Sequence, residues 1–257
     1  MKKNDEIDKS IVITGSAKRL GRVIAIEIAR AGFEVIIHAN NSYEDALSLQ
    51  KEIIDFGGVA KILIGDLENA DFCNGFIEQA NNIADNKLYG LINNASVFEN
   101  DSASDFSDDL FQKHMNLNCL IPLKLARDFA RLIGNNYGSI INILDQRVLK
   151  PNPYFFTYNI SKMALFNATK TMAQSFAPNI RVNAIAPGPS MKNVRQSDED
   201  FEKQYKATLL QSQSAPEDIA QGVLYLLNAK SVTGQVIAVD CGQNLTWQTP
   251  DIVGIIE

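Results

Sequence analysis

The sequence predicts an α/β fold, a single doubly wound Rossmann-type domain on a mostly parallel seven-stranded sheet. Three observations predict it. Seven short apolar runs recur along the 257 residues, segments of helical periodicity separate them, and a glycine-containing turn follows the first run. Apolar runs without polar alternation are typical of strands buried on both faces, as in parallel sheets. Because no linker composition divides the chain, residues 1–257 are expected to form one domain.

The apolar runs give the predicted strands in chain order, at 11–13, 35–37, 62–64, 91–93, 140–144, 180–185 and 236–239. A helix is predicted after the first strand because apolar residues recur at helical spacing from Leu20 to Ile28. A second helix is predicted over 42–56, with Ser42 and Asp45 as a capping box. The last helix is predicted to carry Pro216 in its first turn. In such a sheet the ligand site lies at the carboxyl ends of the strands.

Composition excludes several classes of protein. The net charge is −6 and there is no long basic run, which argues against a nucleic-acid surface. No stretch is apolar enough to predict a membrane span, and the polar first ten residues lack a secretory apolar region, so a cytoplasmic protein is expected. Cys73, Cys119 and Cys241 lack CxxC spacing and are interpreted as reduced packing residues. With only two histidines, no metal site is predicted.

A tyrosine and a lysine follow the fifth predicted strand, which itself delivers Asp145 to its carboxyl end. Tyr158 and Lys162 stand four residues apart in a helix-forming segment and therefore share one helical face. A nearby ammonium favours the phenolate, so Lys162 is expected to lower the pKa of Tyr158 and make it a proton donor near neutrality. The structural alternative is a partly buried tyrosine beside a surface lysine, since this spacing is common.

The first predicted strand ends in the turn TGSAKRLG, residues 14–21. Gly15 lets the backbone turn tightly, and the N-terminus of the following helix offers free amides to a phosphate. By itself this turn is equally consistent with an ordinary loop.

Together these stretches resemble the short-chain dehydrogenase/reductase family, from about Ser10 to Gly242. The motifs occur in family order: the TGSAKRLG turn, Asp66 and Leu67 that flank the adenine, Asn93-Asn94-Ala95-Ser96, Asn118, the Tyr158-to-Lys162 motif, and Pro187-Gly188. The resemblance implies a Rossmann-type reductase that takes a nicotinamide cofactor and a small-molecule substrate and forms a homo-oligomer, a tetramer or a dimer.

Three departures from the general family pattern are similar to the pteridine reductase branch. Arg19 stands at the middle glycine of the first motif, Ser96 at the last glycine of the NNAG motif, and Asp145 at the usual catalytic serine. Phe98 occupies the position where that branch places an aromatic residue, whose implied role is to stack on a flat bicyclic substrate. The alternative is that Phe98 simply lines a reductase pocket.

The resemblance implies four catalytic residues: Asp145, Tyr158, Lys162 and Asn118. Tyr158 would donate a proton to a C=O or C=N bond that receives hydride, while Lys162 would also hold the nicotinamide ribose. Asn118 is preferred over Asn116 as the residue that keeps a relay water, because it fits the NxxxP spacing. Asp145, a carboxyl beside another acid, is expected to carry a proton and to form a coupled proton source with Tyr158 that favours mildly acidic pH. The alternative is a substitution in a protein that has lost its chemistry.

NADPH is the predicted cofactor. NAD-selective enzymes place an acidic residue just after the second strand, whereas this chain has the segment 38–42 there, and Lys18 and Arg19 add positive charge. The branch often carries arginine where this chain has Asn41, which predicts a weaker phosphate pocket. The implied cofactor-binding residues are Gly15, Lys18, Arg19, Leu20, Gly21, His38, Ala39, Asn40, Asn41, Ser42, Asp66, Leu67, Asn94, Ala95, Ser96, Tyr158, Lys162, Pro187 and Gly188.

The predicted substrate site comprises Arg19, Phe98, Asp145 and Tyr158. The polar segment 189–213 is predicted to be a mobile lid. The tail 245–257 is predicted to pack across a subunit boundary or to fold back on its own chain.

The leading hypothesis is an NADPH-dependent oxidoreductase that transfers hydride to a dihydropterin-like substrate. Two alternatives stay open: a carbonyl or 3-oxoacyl thioester reductase, and a regulatory protein that binds NADP without turnover.

Overall fold

The computed structural model of this protein describes residues 9–193, 195–249 and 253. Seven strands form one sheet: β1 (Lys9–Ile13), β2 (Glu34–Ala39), β3 (Ala60–Ile64), β4 (Lys87–Asn93), β5 (Gly138–Ile143), β6 (Ile180–Pro187) and β7 (Val236–Val239). Every neighbouring pair is parallel, and the strand order is β3-β2-β1-β4-β5-β6-β7. The predicted fold class is confirmed. The order reverses at β1, so a crevice opens between β1 and β4 at their carboxyl ends.

Helices cover both faces of the sheet. They are α1 (Arg19–Arg30), α2 (Tyr43–Asp55), α3 (Ala70–Ile83), α4 (Asp108–Met115), α5 (Ile121–Ile133), α6 (Phe156–Ser175), α7 (Asp198–Lys206) and α8 (Pro216–Asn228). A π-helical turn, Asn116–Leu120, joins α4 to α5, and short 3₁₀ turns occupy Gln146–Val148 and Gln243–Leu245. The predicted lid segment therefore contains a helix, α7.

The core consists of two apolar layers, one on each face of the sheet. Ile11 and Ile13 of β1 pack in one layer and Val12 in the other, because successive side chains of a strand point to opposite faces. All six residues of β2 and all six of β5 are buried. These strands also bury Glu34, His38, Ser139 and Asn142, but their runs 35–37 and 140–141 are apolar without alternation, as expected of strands covered on both faces. Full burial of each such side chain contributes about 1.5–3 kcal/mol.

Local details both confirm and correct the predicted elements. Pro216 is the first residue of α8, as predicted. The capping box of α2 is wrong, because the Ser42 side chain makes no capping hydrogen bond and the Asp45 carboxylate instead pairs with the Lys18 ammonium at 2.8 Å. All three cysteines are free thiols. Within the described residues, none of the helices combines the length and the apolar character that crossing a bilayer requires. Residues 250–252 and 254–257 of the predicted subunit-contacting tail lie outside the described residues.

Candidate active site

A cavity of about 360 Å³ lies at the carboxyl ends of β1, β2 and β4. Twelve of the predicted cofactor-binding residues line it: Gly15, Lys18, Arg19, Leu20, Gly21, His38, Asn40, Asp66, Leu67, Asn94, Ala95 and Ser96. Glu68 and Leu117 also line it and were missed, since neither belongs to a motif. The predicted residues Ala39, Asn41, Ser42 and Lys162 are not among its lining residues, and Tyr158, Pro187 and Gly188 line an adjoining cavity.

Two glycines shape the floor of this first cavity. Gly15 has φ +63°, a conformation that favours glycine. A Cβ at Gly21 would lie 2.5 Å from the Gly15 carbonyl oxygen and 2.6 Å from Asn94 Nδ2. The Asn94 amide donates to the carbonyls of Thr14 and Gly15 at 2.9 and 3.0 Å, and so ties the end of β4 to the turn after β1. Glycine at position 21 therefore lets α1 pack tightly against the turn, and both glycines line the cavity without a side chain.

Arg19, which stands at the middle glycine of the family motif, has a backbone conformation that favours glycine. It has φ +52°, the conformation that glycine adopts at low cost and that other residues adopt at about 1–2 kcal/mol. Its guanidinium donates to the carbonyls of Lys192 and Met191 at 3.1 and 3.4 Å. Arg19 also lines both cavities, so it lies where they adjoin.

His38 joins two loops at the rim of the first cavity. Its Nδ1 accepts a hydrogen bond from the Gly15 amide at 3.1 Å, and its Nε2 lies 3.0 Å from the Gly65 carbonyl oxygen. The ring is therefore a neutral imidazole with its proton on Nε2. Burial lowers the pKa of His38 from 6.5 to about 4. The side chain thus supplies no positive charge to a phosphate near neutrality.

The buried, neutral His38 should make the free energy of unfolding sensitive to acid. Because the folded state favours the neutral ring, its contribution to stability is complete above pH 6.5 and is lost as the pH falls through about 4. A shift of this size corresponds to about 3 kcal/mol. We expect urea unfolding to show a steeper loss of stability between pH 6.5 and pH 4.5 in the wild type than in His38→Gln. Equal slopes in the two proteins would contradict this account.

The adjoining second cavity, of about 630 Å³, contains the predicted proton donor. The Tyr158 hydroxyl donates to Asp145 Oδ2 at 3.1 Å, so the predicted pairing of these two residues is present. The sequence-based prediction left out Arg147, whose Nη1 lies 2.9 Å from the same carboxylate oxygen. Asp145 therefore contacts both Tyr158, as expected, and Arg147, with which it forms an ion pair.

The predicted low pKa of Tyr158 is wrong in this structure. Burial and the adjacent Asp145 carboxylate raise the Tyr158 pKa well above 10, and only Arg147 acts in the opposite direction. The Lys162 ammonium lies 5.9 Å from the centre of the tyrosine ring and donates to the Ile143 carbonyl at 2.9 Å. Tyr158 is consequently a neutral phenol, a group that can donate a proton but holds it tightly.

Lys162 is the second titratable group of the site. Its side chain is 3 % exposed, and burial lowers its pKa from 10.5 to about 8, although the Asp145 charge partly opposes the shift. An amine that titrates this close to neutrality is suited to moving protons at physiological pH.

The choice of Asn118 over Asn116 agrees with the geometry. Asn118 is buried, and its amide bonds to Ser96 Oγ, Ser161 Oγ, and the amide and carbonyl of Val97 at 2.9–3.1 Å. Asn116 instead points to Glu68 at the surface. Pro122 has no N–H to give the Asn118 carbonyl, four residues earlier, its α-helical hydrogen bond. The π-helical turn lies at this point, as such turns often do at functional sites.

The aromatic wall of the second cavity contains Phe98, as predicted, and a contact that the sequence did not predict. The Phe98 ring packs edge-on against Tyr158 at 4.7 Å, but one of its faces stacks on Phe155 at 4.2 Å. Phe155 has φ +58°, a strained conformation for a bulky residue. A flat substrate would contact the other face of Phe98 or displace Phe155. Nothing in the aromatic run 154–156 indicated this stack.

A buried polar group that the sequence did not reveal anchors the N-terminus of α6. The Asp101 carboxylate accepts from the backbone amide and the hydroxyl of Thr157, and His114 Nδ1 lies 2.7 Å from that hydroxyl. Thr157 directly precedes Tyr158. These contacts therefore fix the first turn of the helix that carries the phenol and Lys162.

A family model described as enoyl-(acyl carrier protein) reductase matches residues 15–244. The chain belongs to the short-chain dehydrogenase/reductase family. Among its relatives it is 31% identical over 250 residues to a 3-oxoacyl-(acyl-carrier-protein) reductase FabG from Rickettsia felis, which covers 93% of this chain and 98% of that protein. It is 29% identical over 248 residues to L-xylulose reductase from Caenorhabditis elegans, with 93% and 96% covered.

Solved structures of this family include one with higher identity. FolM alternative dihydrofolate reductase 1 from Brucella canis, complexed with NADP, superposes with a TM-score of 0.92 at 40% identity, and covers 96% of this chain and 98% of its own. The predicted family and its oxidoreductase class are confirmed, and the similarity to the pteridine reductase branch agrees with this short-chain reductase structure.

Proposed function

We propose that this protein is an NADPH-dependent reductase that transfers hydride to the C=N bond of a dihydropterin-like substrate. The wall of the second cavity is the main support for this proposal. There the centre of the Phe98 ring lies 4.7 Å from that of the Tyr158 ring, and the Tyr158 hydroxyl donates to Asp145. An aromatic surface beside a proton donor suits a flat, nitrogen-containing bicyclic ring system. The 40% identity to the Brucella dihydrofolate reductase with NADP supports the same class.

The first cavity fits a dinucleotide cofactor. Gly15 and Gly21 line it without side chains, and α1 begins there with free amides and the positive end of its dipole. Lys18 lies in the same wall. The two cavities adjoin at Arg19, so a long ligand can extend from the phosphate end toward Tyr158.

Residues of the chain handle the proton transfer and the positioning of the reacting groups. Bound NADPH supplies the hydride. Tyr158 donates its phenolic proton to the nitrogen that becomes basic as the double bond is reduced. Lys162, four residues along α6 with a pKa of about 8, is placed to help restore that proton. Asn118 holds the Ser96–Val97 segment against α6 through Ser161.

The test of this proposal is NADPH oxidation by the purified protein with dihydrobiopterin, dihydromonapterin, dihydrofolate and an acetoacetyl thioester. We expect turnover with at least one of the three pterin-containing compounds and a higher kcat/KM for it than for the thioester. Turnover of the thioester alone would assign the protein to the 3-oxoacyl reductases. NADPH binding without oxidation across the panel would favour the regulatory alternative.

Lys18 should decide the preference for NADPH over NADH. The segment 38–42 after β2 contains no acidic residue. The Asp45 carboxylate, however, pairs with the Lys18 ammonium at 2.8 Å, and both side chains are about half exposed. We expect Lys18→Ala to raise the Kd for NADPH about tenfold and to leave that for NADH within about threefold, because only NADPH carries the 2′-phosphate. Asp45→Asn is the matched variant and should tighten NADPH binding by about twofold, since exposed pairs are weak. Equal weakening of both cofactors by Lys18→Ala would contradict this role.

We also propose that the whole chain is one domain that acts in the cytoplasm as a dimer or tetramer. One sheet unites strands from Lys9 to Val239, which supports the single domain. Three large apolar side chains, Leu210, Leu245 and Trp247, are more than half exposed, and a second subunit could cover them. Light scattering of wild type and Trp247→Ser tests the assembly, and a monomeric wild type would refute it.

A further inference from the structure

Arg147 is a largely buried cation, its side chain 14% exposed, that no motif indicated. It follows Asp145 by two residues, and Asp145 caps the short turn Gln146–Val148 by accepting the Arg147 amide on Oδ1 at 2.9 Å. The Arg147 guanidinium binds the other carboxylate oxygen, Oδ2, at 2.9 Å. That oxygen also accepts the Tyr158 hydroxyl at 3.1 Å. One carboxylate oxygen is thus shared by the reacting phenol and a guanidinium.

The shared oxygen raises an electrostatic problem that a serine would not. When Tyr158 gives up its proton, a phenolate forms beside the Asp145 carboxylate, and two like charges at hydrogen-bond distance repel strongly in a partly desolvated site. The Asp145 and Arg147 side chains are only 15% and 14% exposed, so water screens this repulsion poorly. A neutral hydroxyl at position 145 would create no such repulsion.

We propose that Arg147 is a positioning residue that makes an aspartate compatible with proton donation by Tyr158, because it holds the Asp145 carboxylate and offsets its charge. Within the described residues, the side-chain hydrogen bond of Arg147 goes to Asp145, while its Nε is buried without a partner. The guanidinium carbon lies 5.5 Å from the centre of the Phe98 ring and 5.3 Å from that of Phe155. Arg147 is therefore oriented toward the reacting groups. The inference rests on the proposed reductase function.

The proposal predicts that the effect of Arg147 depends on Asp145. We expect Arg147→Met to lower kcat about 100-fold with less than about a threefold change in KM for substrate and NADPH, and Arg147→Lys to recover about tenfold. In the Asp145→Ser background the same Arg147→Met change should alter kcat by less than about threefold, since no carboxylate remains to offset. A similar loss in both backgrounds, or a loss confined to KM, would overturn the proposal and make Arg147 a structural or substrate-binding residue.

The experiment separates this inference from the proposed function. The wild type and the four variants are assayed with whichever compound of the substrate panel the wild type reduces, the thioester included, and their urea unfolding is measured in parallel. No wild-type turnover with any compound refutes the reductase function. Independently of turnover, unfolding should be more sensitive to Arg147→Met when residue 145 is aspartate than when it is serine. Absence of that coupling refutes the pairing on which the Arg147 inference depends.

Discussion

Replacing Tyr158 by phenylalanine is expected to lower kcat about 1,000-fold, within the range for removal of a general acid. The phenol is the group that the second cavity brings against Asp145, and its pKa lies well above 10, so it remains protonated and able to donate at any physiological pH. Phenylalanine keeps the packing against Phe98 and removes only the hydroxyl. KM for NADPH should change by less than about threefold, because a transition-state interaction is lost.

The control for this change is Tyr137→Phe. Tyr137 is 76% exposed and precedes β5 at the opposite end of the sheet, so its kcat should equal that of the wild type. A Tyr158→Phe protein that retains more than about a tenth of wild-type kcat would show that another group donates the proton.

Replacing Lys162 by methionine is expected to abolish turnover and to stabilise the folded protein. Burial lowers the Lys162 pKa to about 8 from 10.5, so at pH 7 the folded state carries a buried charge that costs about 3 kcal/mol. Methionine removes that cost and loses one hydrogen bond to the Ile143 carbonyl, worth about 1 kcal/mol. The net gain in free energy of unfolding should be about 2 kcal/mol.

The effect of Lys162 on the free energy of unfolding should depend on pH. Between pH 8 and pH 10.5 the unfolded chain binds more protons at Lys162 than the folded one, so wild-type stability should rise with pH across this window relative to Lys162→Met. Urea unfolding at pH 7 and pH 9.5 measures it, with the exposed Lys170→Met on the same helix as control. A Lys162→Met protein less stable than wild type at pH 7 would contradict the account.

Much of the fold follows from local pattern. The apolar runs predicted β1 to β7, because strands covered on both faces are largely apolar, although β7 is only partly buried. The NxxxP spacing selected Asn118, and Pro122 alters the helix at that point. The predicted pairing of Asp145 and Tyr158 also follows, since β5 and α6 bring their ends together.

The remaining features depend on distances that no periodicity encodes. Arg147 pairs with Asp145 in a short 3₁₀ turn that Asp145 caps, and Phe155, which has a positive φ, stacks on Phe98. The pKa of Tyr158 was predicted with the wrong sign because spacing indicates the neighbouring Lys162 but not the depth of burial. His38 lines the first cavity, as expected of a cofactor residue, but the contacts of its ring nitrogens with Gly15 and Gly65, across chain separations of 23 and 27 residues, could not be predicted from the sequence.

The most direct test of the central claim is the kcat/KM for a dihydropterin and for an acetoacetyl thioester in wild type and Phe98→Leu, both with NADPH. If a flat bicyclic ring stacks on Phe98 beside Tyr158, the kcat/KM of the leucine variant should fall about 10- to 30-fold for the dihydropterin and less than about threefold for the thioester. Aromatic stacking on a base-like ring contributes about 1–3 kcal/mol. Equal losses on both substrates, or an unchanged value for the dihydropterin, would contradict the proposed substrate site.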